Sequence, residues 1–321
     1  MNCASVPRPV KSSGYHDMAD SSERVRISDS HTTCEFAAGA RPAVLVDSPA
    51  RLTVMARDAY GGACDDLDVD AYLRARTPGR MNPCTGPIGV RGAQPGDTLA
   101  VTIQALRVAS RGYVAAPPGL GLLSGDPVLP EVEAFDVQGE RVRFAGRVDL
   151  PLRVMVGTIG VAPAEGSVET LNLGRHGGNL DFNHITTGTT VYLPVRVRDA
   201  LFGVGDVHAT MGDGEAHSGV NIAAEIDLDL RLISDQNLEW PWFETAREVM
   251  TLGVADGLEA ALQLAARAME DLLVRRLSLS ATQARMLSGA AVDLRLGQVG
   301  GYGVPVSAYA VFPKSALPAG D

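Results

Sequence analysis

With 321 residues, the chain is long enough to bury a large core, either as one domain or as two smaller ones. Its formal net charge of −10 at pH 7 argues against a nucleic-acid-binding protein, because phosphate recognition requires a basic surface. No run of about 18 apolar residues occurs, so no membrane-spanning segment is expected.

The first part of the chain differs in composition from the rest. Residues 1–24 are rich in serine, proline and charge, contain no apolar core, and are expected to form a flexible tail without a secretory signal. The four cysteines form no CxxC pair, so we expect reduced thiols in a cytoplasmic protein. Residues 25–321 are expected to form a single domain. The alternative is a β-rich part at 25–238 followed by an α+β part at 239–321.

The first half of the chain alternates between strand patterns and turn signals. Residues 42–46 and 51–62 resemble strands, and the segment Thr98–Val108 alternates apolar and polar residues. The dipeptide Asn82-Pro83 and the tripeptide 85–87 predict turns before a short strand at 88–90. Such an alternation is typical of an antiparallel β architecture.

The second half begins with long β patterns. Residues 109–150 resemble a long connection with short strands, and 150–166 a buried strand followed by a loop. In residues 220–233 the even positions are apolar and most odd positions are polar, which predicts a strand with one buried face.

Two helices are predicted near the C-terminus. The first begins at an N-cap pair formed by Asp256 and Glu259 and runs to about residue 276. The second begins with a capping box of Ser280 and Gln283. Two closing strands follow. The predicted fold class is therefore mostly β (α+β), with a β-sandwich or barrel-like core and a C-terminal helical pair.

Histidines and acidic residues concentrate in residues 173–225, where four of the six histidines lie. Imidazoles and carboxylates are the ligands and proton carriers of hydrolytic chemistry, and glycines let the backbone approach a ligand closely. The run TTVYLPVRV separates two polar clusters, so polar groups lie at both ends of one predicted strand.

This composition favours a divalent metal site. The predicted ligands are His176, Asp181 and His208, together with Asp58 from the end of an earlier strand. Zinc suits two imidazoles with carboxylates, although iron and manganese accept the same ligands. No HExxH pattern fixes the ligands on one helix. The alternative interpretation is that these side chains only form hydrogen bonds within glycine-rich turns.

A carboxylate near such a site would complete hydrolytic chemistry. A bound metal ion lowers the pKa of water to about 7, and a nearby carboxylate can then accept its proton. Glu215 is the predicted general base, and Asp213 and Asp206 are predicted to support it.

Several motifs resemble the acetamidase/formamidase family. They are NPCTGPIGVRGAQPGDTLAV, VGTIGVAPAEG, GRHGGNLD, TVYLPV and ALFGVGDVHATMGDGE. The resemblance covers roughly residues 40–315. It implies hydrolysis of the C–N bond of a small linear amide such as formamide or acetamide, a β-rich fold, a bound divalent metal and a homo-oligomer.

The resemblance also extends to individual positions. The motif positions that carry over are Asn82, Thr85, Gly86, His176, Asn179, Asp181, Asp206, His208, Asp213 and Glu215. Among them, Asn82, Thr85, Gly86 and Asn179 are expected to bind the substrate.

Two alternatives stay open. Cys84 stands where an aliphatic residue is more usual, and it suggests a metal-free variant in which Cys84 or a threonine is the nucleophile. A protein of another class, a catalytically silent β-sandwich that binds a small molecule or metal, is the second alternative. The density of ionisable groups between residues 176 and 215 argues against it.

Overall fold

The computed structural model describes residues 24–77, 79–299 and 305–318. The predicted tail at 1–24 therefore lies outside the described residues, except for Arg24. Nothing in the described part tests the division of residues 25–321 into one domain or two, so that division stays a prediction.

The described residues form 22 strands and three α-helices. In chain order they are β1 (Val25–Ile27), β2 (Thr32–Thr33), β3 (Glu35–Ala37), β4 (Val44–Val46), β5 (Ala50–Ala56), α1 (Val69–Ala75), β6 (Cys84–Val90), β7 (Thr98–Val108), β8 (Arg111–Ala116), β9 (Glu131–Gln138), β10 (Arg141–Phe144), β11 (Val148–Pro151), β12 (Met155–Gly160), β13 (Ser167–Glu169), β14 (Leu173–Gly174), β15 (Gly177–Asn179), β16 (Thr190–Pro194), β17 (Phe202–His208), β18 (Ala224–Ile233), β19 (Trp242–Glu244), β20 (Glu248–Ala255), α2 (Leu258–Leu277), α3 (Ala281–Ala291), β21 (Asp293–Leu296) and β22 (Val306–Pro313).

Most of these strands belong to two large sheets. The nine-stranded sheet has the order β1-β5-β18-β7-β16-β19-β20-β22-β21. The seven-stranded sheet has the order β14-β15-β12-β17-β6-β2, with β4 also paired to β6. Strands β8 to β11 form a separate four-stranded meander, and β13 pairs with β3. Within the described part, all pairs are antiparallel except β1 with β5 and β4 with β6.

The main core lies between the two large sheets. Leu52, Val54 and Leu228 from the nine-stranded sheet belong to the same buried cluster as Val156 and Val204 from the seven-stranded sheet. Burial of these aliphatic side chains stabilises the sandwich by removing apolar surface from water. The prediction of a mostly β fold with a sandwich-like core is confirmed.

The alternating pattern at 220–233 does form a strand with one buried face. Ile226, Leu228 and Leu230 are buried, whereas Asp227 and the other odd positions are more exposed. The strand begins at Ala224 instead of residue 220. Upstream of it, Asn221 forms only isolated bridges, to His208 and to Tyr113.

The predicted helical pair is also present. Ala265 and Met269 of α2 pack with Val249 and Phe312 of the nine-stranded sheet. The capping box of Ser280 and Gln283 forms as predicted.

The predicted start of α2 was wrong. Gly257 is the N-cap, and no side chain caps the helix there. Glycine accepts the extended backbone of this position, and helices tolerate it as an N-cap nearly as well as a polar residue. None of the described helices is both long enough and apolar enough to cross a membrane.

Two loop predictions are corrected. Residues 85–87 are not a turn but part of β6, where Gly86 and Pro87 lie beside a register shift in the pairing with β17. A β-carbon on Gly86 would lie 2.7 Å from the Phe202 carbonyl oxygen, so only glycine fits. Residues 109–150 form the four-stranded meander, of which the sequence pattern indicated only short pieces.

Candidate active site

Strand β12 connects the two segments that carry most of the site. It pairs with β15 on one side and with β17 on the other. In this register Val156 pairs with Val207 and Thr158 pairs with Gly205. Gly157, which lies between them, is therefore opposite Asp206. Its carbonyl oxygen accepts hydrogen bonds from the backbone nitrogens of Leu180 and Asp181. Asp181 and Asp206 are therefore held on either side of a residue that has no side chain.

Asp181, Asp206 and His208 form a buried group, here called the Asp–Asp–His group. The potential ligand atoms of the three residues lie within 4.8 Å of one another. His208 Nε2 is 3.5 Å from Asp181 Oδ1 and 3.4 Å from Asp206 Oδ1. All three of these atoms are buried and have no hydrogen-bond partner among the described residues.

The other oxygen of each carboxylate is held by neutral side chains. Asp206 Oδ2 accepts hydrogen bonds from Asn82 Nδ2 at 2.7 Å and from Thr158 Oγ1 at 3.2 Å. Asp181 Oδ2 accepts from Asn179 Nδ2 and from Gln298 Nε2 at 2.8 Å. Such bonds orient a carboxylate and leave its second oxygen for another partner.

This donor set suits a divalent cation. Two carboxylates and one imidazole are ordinary ligands for zinc and similar ions, and buried ligand atoms without partners are otherwise costly. Glycines make room for the group. A β-carbon on Gly157 would lie 2.6 Å from Asp181 Oδ1, and one on Gly219 would lie 2.3 Å from His208 Nδ1. These residues would hold the ion that the sequence predicts.

Glu215 lies beside the Asp–Asp–His group. Its Oε2 accepts a hydrogen bond from Gln298 Nε2 at 3.3 Å, and the same nitrogen bonds Asp181. Burial raises the pKa of Glu215 well above its ordinary value, and the charge of Asp181 adds to this shift. Its carboxylate is therefore a stronger base than an ordinary one, which suits a proton acceptor.

The electrostatics of the group itself are those of a cation site. Burial raises the pKa of Asp181, because a charged carboxylate is poorly solvated there. For His208, burial alone would lower the pKa, but the charges of Asp206 and Asp181 raise it well above its ordinary value. Positive charge is thus favoured between the two carboxylates, whether a proton or a metal ion supplies it.

Four of the polar residues at the site share an uncommon backbone conformation. Asn82, Asp181, Asp206 and Glu215 all have positive φ angles, of 49°, 40°, 52° and 39°. Non-glycine residues rarely adopt this left-handed region, and when they do, functional sites are often the reason. The fold thus accepts a backbone cost at each residue that directs its side chain into the site.

A small pocket opens next to the group. Its empty volume, including space open to solvent, is about 250 Å³. The polar residues that line it are Tyr60, Asn82, Asn179, Asp206, His208, Glu215, Ser218 and Asn221. Only about 20 Å³ of this space is open to the centre of a water-sized molecule, which is room for about one water, so only a very small ligand is compatible with it.

Two predicted metal ligands lie apart from the Asp–Asp–His group. The carboxylate of Asp58 accepts hydrogen bonds from the backbone nitrogens of Tyr60 and Gly62, which is the turn-capping role that the sequence left open. His176 lies against the ring of Phe36, and burial lowers its pKa to about 4. Among the described residues, neither Asp58 nor His176 belongs to the Asp–Asp–His group.

Three other predicted site residues also lie outside the pocket. Asp213 is exposed, bonds Asn183 and lies 3.7 Å from Arg295. The hydroxyl of Thr85 donates to the backbone carbonyl of Met55. Gly86 lies in β6 at the register shift. Their predicted contributions to catalysis and substrate binding remain untested.

Cys84 does not resemble an activated nucleophile. It is fully buried, and burial raises the pKa of its thiol well above the ordinary value. A nucleophilic cysteine needs the opposite, a stabilised thiolate that substrate can reach.

Sequence reasoning missed four residues of the site: Tyr60, Thr158, Asn221 and Gln298. Thr158 lies within the VGTIG motif, but a buried strand offered no sign of a polar role. Gln298 lies 117 positions from Asp181, to which it bonds. Only the pairing of distant segments brings these side chains together.

Known proteins resemble this chain over most of its length. The model of the acetamidase/formamidase family matches residues 36–173 and 164–299. A formamidase from Methylophilus methylotrophus is 26% identical over 242 residues, which are 56% of this chain and 58% of the relative. The alignment therefore spans less than two thirds of that relative's length.

Two solved structures are similar over nearly their whole length. An acetamidase from Bacillus halodurans is 32% identical with a TM-score of 0.83, and covers 91% of this chain and 98% of its own. A predicted acetamidase/formamidase from Thermoanaerobacter tengcongensis is 34% identical with a TM-score of 0.84, covering 91% and 96%.

Proposed function

This chain belongs to the acetamidase/formamidase family, and from that premise we propose that it hydrolyses the C–N bond of a small linear amide to a carboxylate and ammonia. The observation that carries the proposal is the Asp–Asp–His group. Its three unpartnered ligand atoms lie beside Glu215 at a pocket that is compatible only with a very small ligand. Formamide and acetamide are among the smallest amides, and we propose them as substrates for this small pocket.

We further propose that Asp181, Asp206 and His208 hold a divalent metal ion, with zinc as the favoured ion. When bound, such an ion polarises a carbonyl oxygen and lowers the pKa of a water molecule to about 7. The hydrogen bonds from Asn82, Thr158, Asn179 and Gln298 keep the two carboxylates aimed at the ion. Outer contacts of this kind typically change metal affinity or activity 10- to 100-fold when removed.

Glu215 moves the proton. It accepts a proton from the attacking water, and the water oxygen forms a bond to the amide carbon. The C–N bond then breaks as Glu215 returns the proton to the leaving nitrogen, which departs as ammonia. The raised pKa of Glu215 supports both roles, because such a carboxylate is a stronger base than an ordinary one and, once protonated, can return the proton to a leaving amine.

Asn82 and Asn179 complete the arrangement. Asn82 lines the pocket, and its Nδ2 also contacts Asn179 Oδ1 at 2.9 Å, so the two amides are fixed relative to each other. We propose that they position the substrate, as well as orienting the carboxylates. A cytoplasmic location and a homo-oligomeric state complete the proposal.

The test is ammonia release from formamide, acetamide and longer linear amides, measured before and after chelation and after return of single metals. We expect activity on the short amides, loss on chelation and recovery with one ion, zinc first. Activity that survives complete removal of metal would refute the metal role and leave the amide hydrolysis standing. A protein that binds metal but releases no ammonia from any amide would support the silent binding alternative.

A further inference from the structure

A second polar group lines the pocket apart from the metal-binding side chains. It consists of Tyr60, Ser218 and Asn221, here called the Tyr–Ser–Asn group. Tyr60 follows β5, and the other two residues lie between β17 and β18. The proposed mechanism uses none of the three.

The backbone of Asn221 is fixed from two sides. Its nitrogen donates to the Tyr113 carbonyl at 2.9 Å, and its carbonyl accepts from Tyr113 at 2.8 Å. An isolated bridge also connects Asn221 to His208 of the Asp–Asp–His group. The position of the side chain relative to that group is therefore determined by main-chain contacts.

The orientation of the Asn221 side-chain amide is also determined. Its Nδ2, which carries two hydrogens, lies within hydrogen-bond distance of three oxygens: Tyr60 Oη at 3.0 Å, Ser218 Oγ at 3.1 Å and the Gly219 carbonyl at 3.3 Å. A carbonyl can only accept, so the nitrogen must face Gly219 and the oxygen must face the other way.

Asn221 Oδ1 is buried and has no hydrogen-bond partner among the described residues. A buried acceptor without a partner is uncommon, because it loses water and gains nothing in return. Asn221 lines the pocket, and folding alone does not explain an acceptor that is left without a partner there. A ligand with an N–H group would supply the missing bond.

We propose that Asn221 Oδ1 accepts a hydrogen bond from an N–H of the substrate, and that this contact selects primary amides over esters with the same acyl group. The inference rests on the proposed function and names the part of the substrate that the pocket recognises. The Gly219 carbonyl fixes the orientation of the Asn221 amide, and the Tyr60 and Ser218 hydroxyls contact the same nitrogen. Glu215 lines the same pocket, so an N–H group bound to Asn221 stays in the pocket that also holds the proposed proton carrier.

The experiment compares an amide and an ester in Asn221→Ala. The substrates are acetamide and methyl acetate, which share an acyl group but differ in N–H donors. We expect kcat/KM for acetamide to fall about 10- to 100-fold, and the value for the ester to change less than about threefold. If the wild type leaves the ester intact, its inhibition constant against acetamide hydrolysis replaces kcat/KM.

The matched control is Gln104→Ala. Gln104 is exposed on β7 and its side-chain amide bonds Asp229, so this variant also loses one amide hydrogen bond, far from the pocket. Its kcat/KM values for acetamide and for methyl acetate should both equal those of the wild type. Metal content and the melting temperature are measured for both variants.

An equal loss with both substrates, or a loss accompanied by loss of metal or fold, would assign Asn221 a structural role and overturn the inference. Unchanged acetamide kinetics would do the same. A wild type that releases no ammonia from any amide would instead refute the proposed function.

A measurement on the wild type does not depend on how the variant folds. Acetone has nearly the shape of acetamide but donates no hydrogen bond. Both are tested as inhibitors of formamide hydrolysis, with formate as the product measured. We expect the inhibition constant of acetone to be at least about tenfold higher. Equal constants would contradict recognition of an N–H group.

Discussion

Substitution of Gly157 by alanine tests the geometry of the site most directly. Gly157 has an ordinary strand conformation, so the backbone itself accepts alanine. The new β-carbon would lie 2.6 Å from Asp181 Oδ1, 2.7 Å from Asp206 Oδ2 and 2.9 Å from the Asp206 carbonyl oxygen. Both carboxylates must therefore retreat by roughly 1 Å to reach an ordinary contact distance.

The expected losses of activity and stability follow from that displacement of the carboxylates. A misplacement of about 1 Å at a catalytic site can reduce the rate about 100-fold, and overpacking a buried position costs about 1–3 kcal/mol of stability. We expect Gly157→Ala to fold, to lose most of its bound metal on gel filtration, and to release ammonia at least about 100-fold more slowly. The melting temperature should fall by a few degrees only.

The control is Gly289→Ala in helix α3, where a β-carbon would meet nothing within 4 Å. That change should preserve metal and activity and raise stability by about 0.5–1 kcal/mol, because alanine favours the helix. If Gly157→Ala retained wild-type metal content and turnover, the proposed cation would not lie between the two carboxylates.

Three further predictions follow from individual residues. Glu215→Gln should lower kcat about 10²- to 10⁴-fold with the fold intact, whereas Asp213→Asn, at the exposed residue two positions earlier, should leave ammonia release nearly unchanged; the reverse result would assign the general base to Asp213 instead of Glu215. The hydrogen bond from Arg107 lowers the pKa of Asp227 to about 2, so this carboxylate stabilises the fold above its unfolded pKa of about 3.9, and the contribution is lost as the pH falls through 2. Asp227→Asn should therefore cost about 1 kcal/mol at pH 7, after allowance for solvent screening, and only a small part of that at pH 2, as measured by urea unfolding; an equal cost at both values would contradict the ionic explanation. Ser280→Ala should cost about 1 kcal/mol by removing the capping box of α3, and an unchanged melting temperature would show that this cap is dispensable.

Local patterns in the sequence determined much of the fold. Alternation identified β7 and β18, because every second side chain of a strand faces the same way. The capping box placed the start of α3, since both of its partners lie within four residues. The prediction was wrong where one local signal is compatible with two structures. Glycine and proline at 85–87 indicated a turn, but they mark a register shift within β6.

The polar residues of the site were found only in part by the same reasoning. Asp206 and His208 are two positions apart on β17, so a shared role was visible in the sequence. Glu215 was also selected, but Asp213 carried the same signal and lies at the surface. Composition and spacing do not distinguish a carboxylate directed into a pocket from one paired with arginine and asparagine in solvent.

What the sequence by itself determined was a β-rich fold with a helical pair, the family resemblance, and one segment rich in ligands and proton carriers. The tertiary structure determined which of these ligands and proton carriers lie close to one another. The pairing of β12 with β15 and β17 brings Asp181 to Asp206, and Gln298 reaches both Asp181 and Glu215 from the other end of the chain. Such contacts depend on long-range strand register and on left-handed backbone at single residues, and neither is encoded in a local pattern.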